Sequence, residues 1–212
     1  MISITKKGLI GCKNSAIEEL KGEFTKRQCI VLPQLLDNEL LDKLISNIDD
    51  ASFYERQHFA GNKIFATDLS VPSKNVALHQ FNFLFNNTRL FRLIETITDL
   101  PGVRGFSGRI YRNLPGTSHF LDWHDDKSTP TRLIGLSINL SYQRYEGGTF
   151  QIRKKGDKKY LTEVGCTNPG DAHIFKVSHQ LEHRVTEVTG NFPRTAGAGW
   201  FTSEPASLIL KQ

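Results

Sequence analysis

The spacing of apolar residues along the chain follows two different periods, and the change falls near residue 102. Before it, the pattern is mixed. "QCIVLPQL", 28–35, is a short apolar run that predicts a buried strand. "LDNELLDKLISNIDDA" follows, with Leu40, Leu41, Leu44 and Ile45 at helical spacing and Asp37 or Asn38 placed to cap the start. Residues 52–86 show no clear period and are rich in phenylalanine; the expectation is irregular chain that fills core or forms a substrate lid. "NTRLFRLIETITDL", 87–100, is a second amphipathic helix, stopped by Pro101-Gly102.

After Gly102, eight short β-type runs follow one another: "VRGFSGRIYR", "HFLDWH", "RLIGLSINLSY", "GTFQIRKK", "KYLTEV", "AHIFKV", "HRVTEV" and "AGAGWFTS". Turn residues such as "NLPGTS", "YEGG", "KGDK" and "TNPGD" separate them. Many short strands at this pitch predict a sandwich or barrel. The fold class is therefore α+β, with an N-terminal strand and helices (1–102) packed on a β core (103–202) within a single domain of 1–212.

Bulk composition narrows the function. The 212 residues are 38% hydrophobic and 23% charged, a globular balance with enough chain for one core. The net charge of +5 favours anionic partners, but Lys and Arg are dispersed, so no nucleic-acid surface is expected. Cys12, Cys29 and Cys166 are far apart and form no CxxC pair. A disulfide framework or thiolate zinc site is not expected, and a reducing cytoplasm is. No run has the length of a signal peptide core or a membrane span.

The candidate chemistry begins at "HFLDWHDD", 119–126. His124 and Asp126 form the chain's one His-x-Asp or His-x-Glu. On a strand, positions i and i+2 share a face, so imidazole and carboxylate would converge. A metal needs a further ligand, and His173, His179 and His183 are available downstream. Two histidines with one carboxylate, leaving open positions, is the ligand set of non-haem Fe(II) oxygenases. Arg194 in "NFPRTAGAGWF" offers a fork for a carboxylate, with small residues after it leaving room.

In order, the chain carries Tyr111, Gly116, His124-x-Asp126, Arg132, Glu146-Gly147-Gly148-Thr149-Phe150, Gly170-Asp171, Phe175, His183-Arg184-Val185, Val188, Gly190, Arg194 and Trp200. This series resembles the 2-oxoglutarate/Fe(II)-dependent oxygenase superfamily, and within it the prolyl-4-hydroxylase-like branch. The resemblance implies a double-stranded β-helix, a cupin-like jelly-roll barrel, with the strands of His124 and His183 side by side. It implies that His124, Asp126 and His183 bind Fe(II), and that Arg194 pairs with the distal carboxylate of 2-oxoglutarate, with Tyr111 and Asn139 in the same pocket. It implies O2 as the other co-substrate, release of succinate and CO2, and hydroxylation of a C–H bond. Asp126 stands where related halogenases carry a small residue, which favours hydroxylation.

The series is most similar to microbial hydroxylases of amino acids or N-acyl amino acids, so a small-molecule substrate is expected, with a carboxylate among its candidate groups. A protein or peptide prolyl hydroxylase is the alternative, and a non-catalytic jelly-roll binding protein the third reading. The sequence does not fix an oligomeric state. His119, Asp122 and Asp125 are assigned to loop and turn bonding, Trp123 to the core, Lys154–Lys159 to a solvated hairpin tip. Arg109 and Arg132 are left between substrate anion and structural ion pair.

Overall fold

The computed structural model describes residues 2–60 and 63–206. The N-terminal part holds β1 (Ser3–Thr5), β2 (Gly8–Ile10), α1 (Asn14–Arg27), β3 (Cys29–Leu32), α2 (Asn38–Asp49), β4 (Tyr54–Ala60), β5 (Lys63–Ser70), α3 (Val76–Phe85) and α4 (Thr88–Thr98). The remaining strands are β6 (Gly105–Asn113), β7 (Phe120–His124), β8 (Arg132–Asn139), β9 (Glu146–Gly147), β10 (Phe150–Lys154) and β11 (Tyr160–Val164). They continue with β12 (Ala172–Lys176), β13 (Leu181–Val185), β14 (Val188–Thr189) and β15 (Arg194–Thr202).

Eleven strands form one sheet, in the order β11-β10-β13-β7-β5-β6-β15-β8-β12-β3 with β4 added on β5. Their pairings are antiparallel. The sheet curls into a nearly closed jelly-roll barrel: Phe150 on β10 meets Phe175 on β12 at 4.7 Å between ring centres, although the two strands are not neighbours in the sheet. All eight runs expected after Gly102 are strands, with "HRVTEV" split into β13 and β14.

The helices cover the outer face of β6, β15 and β8. Asp37 is the cap of α2, its carboxylate accepting from Leu40 N at 3.0 Å, and Asn87 caps α4. Phe81 of α3 lies flat on the sheet because Gly108 and Gly197 have no Cβ: one built there would stand 2.6 Å from its ring. Phe81, Phe85, Phe106 and Phe201 make the densest part of this layer and are fully buried.

Residues 52–86 are not irregular, as the missing period suggested. They form the β4–β5 hairpin and α3. β5 runs between β7 and β6, so the N-terminal part supplies barrel wall as well as a helical layer. The hairpin escaped notice because β4 is an edge strand with exposed residues on both faces, which erases the alternation a half-buried strand would show. α1 was also missed; of its side chains only Phe24 is fully inside, so it lacks an apolar stripe.

Candidate active site

β7 and β13 are neighbours, and His124 and His183 are register partners across them. Their rings stand 4.2 Å apart between centres. Asp126 joins them by a route different from the expected one. β7 ends at His124, and Asp126 lies in the bend beyond it with φ 59°, a left-handed backbone that turns its carboxylate back onto the pair. Asp126 Oδ2 is 3.2 Å from His183 Nε2, and Oδ1 is 3.6 Å from His124 Nε2. One ligand atom from each of the three residues lies within 4.8 Å of the others.

Each group is held in a ligand-ready state. His124 Nδ1 donates to the Asp122 carbonyl at 2.8 Å, which leaves Nε2 as the lone-pair nitrogen facing the cluster. Burial, then the neighbouring His183, pushes the His124 pKa down to about 4, so the ring is neutral at neutral pH. Burial alone would raise the Asp126 pKa, but the hydrogen bond and charge of His183, with His124 and Trp200, hold it well below the usual carboxylate range. Trp200 Nε1 donates to Oδ2 at 2.7 Å, and Arg132 Nη1 donates to Oδ1 at 3.2 Å while stacking 3.5 Å over the Trp200 ring. Arg132 is thus a structural ion pair with Asp126.

Two imidazoles and an ionised carboxylate, without a thiolate, fit a divalent metal of the iron type with open positions. The cluster faces a cavity of about 690 Å³. Phe65, Leu121 and Val185 give it apolar wall; His58, Arg109 and Tyr111 give it polar wall. Arg109 is bonded to the buried Asp68, which His58 Nε2 also meets at 3.1 Å. These contacts outweigh burial and bring the Asp68 pKa down to about 2. Sequence reasoning missed this cluster, since His58 and Asp68 sit in the hairpin read as irregular.

Arg194 opens β15 and is 4% exposed. Its Nη1 donates to Tyr111 Oη at 2.7 Å and its Nη2 to Ser137 Oγ at 3.3 Å. The small residues after it serve the helix side, where Gly197 and Gly199 admit Phe81 and Phe106. Room for the guanidinium comes from Gly148, at φ 57°, where a Cβ would stand 2.7 Å from Arg194 Cδ.

Asn139 is placed differently from Tyr111. Its amide nitrogen donates to Thr167 O at 2.7 Å and its oxygen accepts from Ser141 N at 2.9 Å, so both ends serve backbone, and it does not line the main cavity. Ser137, two residues earlier on the same face, is the one that reaches Arg194.

The other polar residues of the 119–126 stretch have local roles. His119 is buried, with Nδ1 accepting from Leu114 N at 3.0 Å. Asp125 accepts from Lys127 N and Lys155 Nζ. Asp122 accepts from Trp123 N. Trp123 is not core: it lines the cavity and is half-buried under the guanidinium of Arg153 at 3.7 Å.

Residues 108–202 match the family model described as "2OG-Fe(II) oxygenase superfamily". No curated protein matches the chain. Among solved structures, it is similar to an oxidoreductase of the 2OG-Fe(II) oxygenase family from Burkholderia pseudomallei, with TM-score 0.68, 14% identity, and 92% of this chain and 94% of that one covered. A Pseudomonas putida prolyl-4-hydroxylase matches with TM-score 0.61, 15% identity, and coverage of 88% and 98%. The epimerase SnoN, solved with Fe3+, alpha ketoglutarate and nogalamycin RO, matches with TM-score 0.60, 11% identity, and coverage of 90% and 84%. At these identities the structural likeness speaks for the fold.

Proposed function

We propose, from the match of residues 108–202 to the 2OG-Fe(II) oxygenase superfamily model, that the chain is an oxygenase of that superfamily and hydroxylates a C–H bond of a small molecule such as an amino acid or N-acyl amino acid. It is an enzyme whose metal is Fe(II) and whose co-substrates are 2-oxoglutarate and O2. Bound iron supplies the oxidising chemistry, coupling decarboxylation of 2-oxoglutarate to succinate and CO2 with oxygen transfer to the substrate.

In this reading His124, Asp126 and His183 hold the iron, and Arg194 with Tyr111 holds the distal carboxylate of 2-oxoglutarate. The single observation that carries it is the three-ligand cluster facing a 690 Å³ cavity. That volume is within the range of small-molecule sites, about 300–1,000 Å³. Arg56 on the wall favours a substrate carboxylate, and Phe65 and Leu121 favour an apolar remainder. Trp200 and Arg132 fix the Asp126 carboxylate, so the metal-binding face is organised before metal arrives. The described residues contain no helix long and apolar enough to cross a membrane. The whole chain acting as one domain in a reducing cytoplasm is part of the same proposal. A peptide hydroxylase is the second reading, favoured by the likeness to the P. putida prolyl-4-hydroxylase.

The test is a substrate screen with purified protein, Fe(II), 2-oxoglutarate and air. Amino acids, N-acyl amino acids and proline-containing peptides are read by succinate release and a mass gain of one oxygen. Succinate with small carboxylates, lost in Asp126→Ala and His183→Ala, supports the reading. Full turnover in either variant removes the site assignment, and turnover with peptides alone replaces the small-molecule substrate by the second reading.

A further inference from the structure

Among the described residues, two buried side-chain atoms have no hydrogen-bond partner: His173 Nε2 and Arg194 Nε. They come from β12 and β15, the two strands that flank β8. Both residues line one void of about 10 Å³, with Ser137, Asn139, Tyr145 and Thr167 around it. That volume holds about one water-sized atom. Ser137 and Phe150 line both this void and the main cavity, so the two spaces share that wall.

Packing alone does not account for a histidine here. The His173 ring lies 4.5 Å from Phe150 and 6.2 Å from Phe175, a place that Leu or Phe would fill without leaving a polar nitrogen unpaired. Burial, then the Arg194 charge, pushes its pKa down to about 3, so the ring is neutral. Arg194 is met by the hydroxyls of Tyr111, Ser137 and Tyr145 and, among the described residues, by no carboxylate. A buried cation without a counter-anion and a neutral nitrogen without a partner thus border the same one-atom space.

We propose that His173 is a second anchor for the 2-oxo acid: its Nε2 and Arg194 Nε together bind one oxygen of the distal carboxylate in that void. This rests on the co-substrate reading above and adds to it a residue outside the Arg194–Tyr111 pair. Both orphaned atoms gain a partner in one step, and the void admits an oxygen but no further carbon.

The experiment is calorimetric titration of 2-oxoglutarate into Mn(II)-loaded protein without turnover, comparing wild type, His173→Gln and His173→Leu. His173→Leu is expected to weaken binding by about 10- to 100-fold, the loss of a hydrogen bond to a charged group, while Mn(II) affinity stays the same. His173→Gln, which keeps a donor, is expected to lie closer to wild type. Equal 2-oxoglutarate affinity in His173→Leu overturns the proposal, as does a parallel loss of Mn(II). If Mn(II)-loaded wild type binds no 2-oxoglutarate, the co-substrate reading itself falls, and this inference with it. Should His173→Leu not fold, histidine-labelled wild type decides: the ring signal absent from His173→Gln must shift when 2-oxoglutarate is added, and a static signal overturns the proposal.

Discussion

At the metal-cluster end of the cavity, both oxygens of Asp126 have protein donors, Trp200 Nε1 on one and Arg132 Nη1 on the other. Behind the cavity wall of Ser137 and Phe150, Arg194 and His173 each keep a buried nitrogen unpaired. The first end is complete in its own hydrogen bonds, which fix the orientation of the Asp126 carboxylate. The second leaves two donors or acceptors open, and on the proposal above a ligand that fills them would stabilise it. One end therefore spends its polar groups on shape and the other holds them in reserve for binding.

The largest effect should come from the reserved end. Arg194→Ala removes the cation that a distal carboxylate would meet, and the 2-oxoglutarate requirement should rise on the order of 100-fold or more. Metal affinity should not change, because Arg194 touches none of the three cluster residues. Steady-state kinetics at varied 2-oxoglutarate, with a separate metal titration, measures both. A requirement unchanged by the substitution would mean that a different group anchors the co-substrate.

Acid should weaken both ends together. His124 and His173 are neutral in the fold, with pKa values pushed down to about 4 and about 3 against an ordinary 6.5. Below pH 6.5 the unfolded chain takes up protons that the folded chain refuses. Stability is therefore full above pH 6.5 and falls as pH drops toward 4, by a few kcal/mol in all. Denaturant melts of metal-free protein at pH 7.5, 6 and 5 measure the slope. His173→Leu should make it shallower; an equal slope would show that His173 is not buried neutral.

Trp200→Phe probes the complete end and should act more weakly. It keeps the ring under Arg132 but deletes the N–H on Asp126 Oδ2. Metal affinity should fall by about tenfold, the scale of lost support to a metal ligand, and 2-oxoglutarate affinity at saturating metal should hold. If metal affinity were unmoved, Arg132 and the backbone bend alone would be orienting the carboxylate.

How much of this was legible in the sequence depends on how far apart the partners lie. The eight β runs could be read because turn residues bracket short alternating segments, and each became a strand. The β4–β5 hairpin could not, since its edge strand has no buried face to set a period. His124 and Asp126 were legible as a pair, but for a reason the fold does not use: a strand's shared face was expected, and a left-handed bend at Asp126 does the work. The bond from Trp200 to Asp126 spans 74 residues and leaves no local pattern, although both belong to the ordered series that suggested the family. His173 was one of three downstream histidines available as a further ligand; the fold buries it on β12, and only the void beside Arg194 shows what its nitrogen lacks.

Asn139 gives the smallest expected effect on binding and the sharpest test of which polar groups are held in reserve. It borders the same void as His173 and Arg194, and sequence reasoning placed it in the co-substrate pocket. Yet its amide is already spent, donating to Thr167 O and accepting from Ser141 N. Asn139→Ala should therefore leave 2-oxoglutarate affinity within about twofold, while unpairing one buried and one part-buried backbone group at a cost of about 1–3 kcal/mol each at most. Calorimetry and a thermal melt on the one variant separate the two outcomes. A lower melting temperature with unchanged affinity assigns Asn139 to the barrel wall. A loss of affinity comparable to that of His173→Leu would mean that the amide lets go of the backbone when the co-substrate binds, and that the void is shaped by the ligand as much as by the fold.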